Sequence, residues 1–116
     1  MSDIQLTWIG SSLDDVRDFP EEVRRKAGFE LRAVQRGDMP SDSKPMSIVG
    51  KGAHEIRIRT GDAYRIFYVA RFKEAVYVLH AFQKKTQQTS RRDIALGQQR
   101  YKEMIHLRQL QERETP

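Results

Sequence analysis

The 116-residue chain reads as one small α+β domain, in the order strand–helix–helix–strand–strand–strand–helix. Three observations predict this class. The length supports a single hydrophobic core and no second. Helical spacing is confined to residues 12–36 and to the stretch after Ser90. Between them lie three β-rich runs with turn-length connections, the pattern of an antiparallel-rich sheet whose helices are segregated from it. On this reading the helices cover one sheet face and the other stays more open.

Each element has a local reason. Ile4-Gln5-Leu6-Thr7-Trp8 alternates apolar with polar, as a strand with one buried face does, and Gly10 breaks it. Ser12, with Asp15 three residues on, resembles a capping box for a short helix that Pro20 closes. The same proline opens a second helix, antiparallel to the first. Glu21 and Glu22 sit where the helix dipole favours carboxylates, and Val23, Ala27, Leu31 and Val34 keep helical spacing to about Arg36, with Gly37 as the stop. Residues 37–52 read as a long exposed loop rich in Gly, Pro, Ser and Asp, tacked down by Met46, Ile48 and Val49. His54 to Thr60 alternates cleanly, with Ile56 and Ile58 on one face and Glu55, Arg57 and Arg59 on the other. Tyr64–Ala70 and Val76–Gln83 are nearly continuous in apolar character, as central strands are. Ser90 caps a last helix to Leu110, lined by Ile94, Tyr101, Met104 and Ile105. Gly97 allows it close approach, and residues 108–116 fray. No repeat, linker or low-complexity segment interrupts residues 1–116, which form a single domain.

Composition narrows the chemistry. The chain has no cysteine, which removes disulfide scaffolds, thiol nucleophiles and zinc ribbons and suits a reducing cytoplasm. No run of residues is long and apolar enough for a membrane span, and Met1-Ser2-Asp3-Ile4-Gln5 lacks the pattern of a signal region. The net charge of +5 is uneven: residues 1–50 carry seven Lys/Arg against nine Asp/Glu, and residues 51–116 carry fourteen against seven. A polyanion is a candidate partner for the second half, against the plainer reading of a soluble basic surface. His54, His80 and His106 lack metal-ligand spacing, no phosphate loop or nucleophile elbow is present, and no metal or cofactor is expected. A lone strand histidine such as His54 or His80 is more naturally a packing residue than a catalyst.

One constellation stands out. With a Gly61-Asp62-Ala63 loop, Tyr64 pairs with Thr60 and Arg65 with Arg59, which sets Arg65 beside Arg57 on the open face. Lys84 and Lys85 end the next strand near the same edge, and Arg91, Arg92, Arg100 and Lys102 extend the positive field along the last helix. Arginine forks match phosphate oxygens, and a lysine with a lowered pKa can exchange protons. Metal-free RNA cleavage needs such groups to take the 2′-OH proton, hold charge at phosphorus and protonate the 5′-oxygen. Glu55 serves as base or as an orienting ion-pair partner; the plain alternative for Glu55, Arg57 and Arg59 is a solvated strand face with ordinary ion pairs.

The stretches WIGSSLDDVRDFPEEVRRKAG (8–28), HEIRIRTGDAYRIFYVA (54–70) and VYVLHAFQKKTQQTSRRDIALGQQRY (76–101) resemble the phage-derived Gp49-like family of HigB-type toxins, within the RelE/ParE superfamily. The resemblance implies a RelE-like fold and a ribosome-dependent mRNA endonuclease, located in the cytoplasm. Its implied partners are the ribosome, mRNA and a helix-turn-helix antitoxin, with operator DNA met only through that antitoxin. By motif, the implied catalytic positions are Arg57, Arg65 and Lys84 or Lys85; Glu55 falls where RelE itself has a second strand lysine. Arg59, Arg91, Arg92, Arg100 and Lys102 are then RNA-docking cations. Tyr101 lies on the apolar side of its helix and does not match the C-terminal tyrosine some relatives use. The alternatives are a non-catalytic nucleic-acid or antitoxin binder and, less favoured by the basic set, a ParE-like gyrase inhibitor.

Overall fold

The computed structural model describes residues 3–114. Its elements are β1 (Leu6–Trp8), α1 (Ser12–Arg17), α2 (Glu21–Gln35), β2 (Ser43–Pro45), β3 (Ala53–Arg59), β4 (Ala63–Val69), β5 (Val76–Lys84) and α3 (Arg91–Glu114). The strands form one mixed sheet in the order β1-β5-β4-β3-β2, with β1 parallel to β5 and the other neighbours antiparallel. This is a small α+β fold of the RelE-like kind.

The helices do not share one face. Val23, Ala27 and Leu31 of α2 pack with Val16 and Phe19 against Ile56, Ile66 and Val78, and Ile4, Leu6 and Trp8 join them from the side. On the opposite face Phe67, Tyr77 and Leu79 are covered by Met104 of α3, with Val49 beside them. The reason lies in β4 and β5 themselves, which are apolar on both sides and therefore need cover on both. Gly97 is the close-approach point: a Cβ there would lie 2.8 Å from the Phe67 ring.

Three local expectations change. Ser12 does not cap α1. It is fully buried, and its hydroxyl donates to the Val78 carbonyl (3.0 Å), while Ser11 holds the cap position and donates to Asp15 (3.1 Å). A hydroxyl pressed against a sheet finds a strand carbonyl before it finds its own helix. The 37–52 segment is not wholly irregular, because Ser43–Pro45 pairs with β3 through Ser43↔Ile56, Lys44↔Glu55 and Pro45↔His54. Three residues ending in proline carry no readable period, and an edge strand tolerates the missing donor. Met46 and Val49 do anchor the segment, but Ile48 stays exposed. The last helix runs on to Glu114 instead of fraying at Arg108, whose guanidinium donates to Glu74 (2.7 Å) and lies 3.5 Å from the Phe72 ring centroid. Of the expected tail, only residues 115 and 116 lie outside the described residues.

Elsewhere local chemistry holds. Gly37 (φ +87°) closes α2, with Asp38 N–H on Ala33 O (2.9 Å) and Gly37 N–H on Val34 O (3.0 Å), a Schellman pair. Ser90 Oγ accepts from Asp93 N–H (3.1 Å) and donates to Asp93 Oδ2 (2.7 Å), a reciprocal cap on α3.

Candidate functional site

The sheet face under α3 is covered only in part, and the uncovered part carries the charge. The hairpin loop is Thr60-Gly61-Asp62, so Arg57 pairs with Arg65 and Arg59 with Ala63, two residues away from the expected register. A shift of two preserves side-chain parity, and Arg57, Arg59 and Arg65 still share a face with Glu55. Across the next strand Arg65 faces Phe82, and Ala63 faces Lys84.

Glu55 is the hub. It is 2% exposed, and its Oε1 accepts from Arg57 Nε at 3.2 Å, with Arg65 Nε at 3.7 Å and Lys44 Nζ at 3.8 Å. This face is therefore no solvated strand surface: Arg65 is itself 4% exposed, and its Nη1 donates to its neighbour's Tyr64 carbonyl (3.0 Å). Two arginines placed directly opposite repel, and the carboxylate between them is what makes the pairing tolerable. Glu55 Oε2 and Arg65 Nε find no hydrogen-bond partner among the described residues. Burial holds the Arg65 pKa below the usual arginine range, with Arg57 and Arg59 pushing the same way and Glu55 against them; a guanidinium stays cationic nonetheless. Lys84 is half-buried and its pKa is lowered, first by desolvation and then by Arg65, with Lys44 and Arg57 adding to it and Glu55 opposing.

Four cations thus surround one carboxylate on a sheet whose sequence motifs had suggested a toxin family. A family model described as phage-derived Gp49-like protein (DUF891) matches residues 14–102, most of the chain. The chain belongs to that family. It is a toxin family of the RelE/HigB type, so the protein is related to toxin–antitoxin systems and an antitoxin is the partner its family suggests. A comparison with curated proteins finds no match.

In this Gp49-like protein the two candidate lysines part company. Lys84 joins the Arg65 cluster; Lys85 is exposed and lines a cavity of about 310 Å3 beside Thr86, Ser90 and Arg92, which Lys84 also borders. Arg59, Arg91, Arg92 and Lys102 are exposed. Arg100 is not free to dock: its Nη1 donates to the carbonyls of Ile9 (3.3 Å) and Leu79 (3.4 Å), and its Nη2 to Ser11 Oγ (3.2 Å). It pins the β1–α1 turn to α3. Gly10 (φ +57°) leaves the space its guanidinium fills.

The two strand histidines are packing residues, and His106 is exposed on α3. His54 stacks on Tyr68 (5.8 Å between centroids) on the α2 side of the sheet, away from Arg57. His80 is buried, stacks on Phe82 (4.9 Å) and meets Asp93 Oδ1 through Nε2 (2.8 Å), which ties β5 to the capped start of α3. Tyr101 donates to the Lys51 carbonyl (2.8 Å), a contact that holds the 46–52 segment on α3. No group of three His, Asp or Glu among the described residues could hold a metal ion, and no helix is long and apolar enough to cross a membrane.

Sequence reasoning missed Lys44, because β2, which carries it to Glu55, is too short to leave a pattern. It also missed that Glu55 is buried, because alternation places a residue on a face without saying what else crowds that face.

Proposed function

We propose that this protein is the toxin of a type II toxin–antitoxin system, an endoribonuclease that cuts mRNA on translating ribosomes. The observation that supports this reading is the convergence of Arg57, Arg65 and Lys84 around the buried carboxylate of Glu55. Arg57 and Arg65 present guanidinium donors to the non-bridging oxygens of one phosphodiester, where negative charge grows as the 2′-oxygen attacks. Attack forms the 2′–O–P bond, the P–O5′ bond breaks, and the products are a 2′,3′-cyclic phosphate and a 5′-hydroxyl. Lys84 is the group suited to proton exchange, since its lowered pKa brings it closer to neutrality than a free lysine. Glu55 orients the guanidiniums; with three cations on Oε1 it is engaged as a counter-ion and not placed as the base. Exposed Arg59, Arg91, Arg92 and Lys102 dock on ribosomal RNA, and decoding-site nucleotides complete the site. A helix-turn-helix antitoxin covers the cluster and carries the pair to operator DNA. The protein then works in the cytoplasm, where its ribosomes are.

The test is to map RNA 5′ ends after brief induction, alongside growth, for the wild type and Arg65→Ala. New ends inside open reading frames are expected for the wild type. Arg65→Ala should lose about 10²–10³-fold in cleavage, the scale of removing one oxyanion donor. Because Arg65 is buried, Arg57→Ala, at a more exposed position, is run beside it and should lose a similar factor. Unchanged ends with RNA binding intact would instead identify a non-catalytic binder, and DNA-damage signalling without cut transcripts a gyrase inhibitor.

A further inference from the structure

The cavity of about 310 Å3 at the end of β5 lies on the same sheet face as the Glu55 cluster. Strand parity decides this. Lys84 pairs with Ala63 and Phe82 with Arg65, so these side chains share a face, and Phe82 belongs to the apolar cluster that α3 covers. Arg92, Asp93 and Leu96, from the first turns of α3, form the far wall. His80 closes the floor: its Nε2 meets Asp93 Oδ1 (2.8 Å), while Asp93 Oδ2 accepts from Ser90 Oγ (2.7 Å). The one carboxylate in the lining is therefore already engaged. Three cations, Lys84, Lys85 and Arg92, border the same space, and neither Lys85 nor Arg92 pairs with a carboxylate among the described residues. Lys84 stands between the two sites, since it lines this cavity and feels the charges of Arg65, Glu55 and Arg57.

We propose that this cavity seats the message phosphate next to the scissile one on its 3′ side, held by Lys85 and Arg92. The proposal rests on the endonuclease reading and deepens it. A lysine ammonium brings a proton, and the oxygen that needs one is the departing 5′-oxygen, which belongs to the nucleotide on the 3′ side. A site reached from the two arginines by passing Lys84 therefore lies on that side. Two cations with no carboxylate of their own match the charge of one RNA link, and a volume at the small end of ligand sites takes a phosphate with its sugar. Of the exposed cations, Arg92 is thereby assigned to the message, and Arg59, Arg91 and Lys102 stay with the ribosome.

The probes are a dinucleotide and a trinucleotide of adenosine, 2′-O-methylated so that they bind without being cut, titrated by NMR. The trinucleotide carries one further phosphate, and the wild type should bind it about tenfold more tightly, the scale of one charge-assisted contact. Lys85→Ala combined with Arg92→Ala should lose that gain with thermal unfolding unchanged. Its log affinity should also fall less steeply with log salt, by about 0.7, the share of one phosphate on a single strand. Arg24→Ala, which removes an exposed cation of α2 on the other side of the sheet, should keep the gain. The seat is overturned if the wild type shows no gain, if the double variant keeps it, or if Arg24→Ala loses it too. It is overturned as well if the double variant keeps the gain and loses affinity only for ribosomes without message, which would put a ribosomal phosphate there. Cleavage is measured separately, on ribosomes programmed with a message of known cut site. A methylphosphonate at the 3′-neighbouring link should slow the wild type about tenfold, again one charge-assisted contact, and leave the double variant no slower. At the 5′-neighbouring link it should affect both proteins alike, and a loss that follows this link instead overturns the assignment. A wild type that does not cut while the binding pattern holds sinks the enzyme reading and leaves the phosphate seat; cutting without the pattern sinks the seat alone.

Discussion

Lys84 and Lys85 border one cavity but differ in burial: Lys84 is the last residue of β5 and half-buried, and Lys85, just beyond the strand, is exposed. Lys84 crowds Arg65, and its charged form is penalised by burial and by like charge. A base whose folded pKa lies below its unfolded value destabilises the fold while charged, and this penalty is relieved as pH rises from the folded towards the unfolded value of 10.5. Lys84→Met is therefore expected to leave the melting temperature at neutral pH equal or higher, while cutting RNA about 10²–10⁴-fold more slowly. Lys85→Ala should change cleavage by much less. Calorimetry together with a single-turnover cleavage assay checks both; a Lys84→Met variant that cuts at the wild-type rate would remove Lys84 from the mechanism. That Arg57 and Arg65 share a sheet face was legible in the sequence through parity, but which of the two lysines joins them on it was not. It depends on the β4–β5 register, which a bulge between Phe67 and Tyr68 shifts along the way. Arg100 was misplaced for a related reason. Its surroundings come from β1, α1 and β5, and nothing near it in sequence announces them.

At the scale of elements, two glycines inside helices make a controlled pair. A Cβ added at Gly28 of α2 would meet nothing within 4 Å, whereas one at Gly97 of α3 would meet the Phe67 ring at 2.8 Å and Val49 at 3.3 Å. Gly28→Ala should stabilise by up to about 1 kcal/mol, the helix propensity difference. Gly97→Ala gains the same propensity but must displace a fully buried ring, and a net loss of about 1–3 kcal/mol is expected. Chemical denaturation of the two variants reads both signs. The far end of α3 responds to acid. The hydrogen bond from Arg108 holds Glu74 down to about 2 from an ordinary 4.5, helped by the Tyr77 hydroxyl and opposed by burial. A carboxylate with a depressed folded pKa gives its stabilisation above the unfolded value and loses it as pH falls through the window, here from 4.5 towards 2. Amide exchange in the last turns of α3 should accelerate over that interval in the wild type and show no such step in Glu74→Gln. The pair is partly exposed, so the change should stay local. The helix starts and stops were readable from caps and spacing, as at Gly37 and Ser90. The extension of α3 to Glu114 was not, because its support comes from Phe72 and Glu74, outside the helix.

For the molecule as a whole, element order and class were legible, since strands and helices differ in period and the turns between them are short. The layering was only half legible. The apolar character of β4 and β5 on both sides already called for a second cover, yet pattern alone assigns no helix to it. The same cover decides where the charge collects: α3 and the 46–52 segment bury one part of the face, and Arg57, Arg65 and Lys84 lie on the part beyond that apolar cluster. One further consequence follows from β1 lying beside β5, the last strand to be made. A chain emerging from its ribosome cannot close this sheet until residue 84 and the start of α3 are free, because Leu6–Trp8 pairs with Val76–Val78. Until then the apolar faces of α1 and α2 await most of their sheet, and the long separation makes closure slow. The cationic cluster gains Lys84 only when β5 joins the sheet, so on the proposed reading a growing chain lacks its complete site until then, and a binding partner already in solution has that interval in which to be ready.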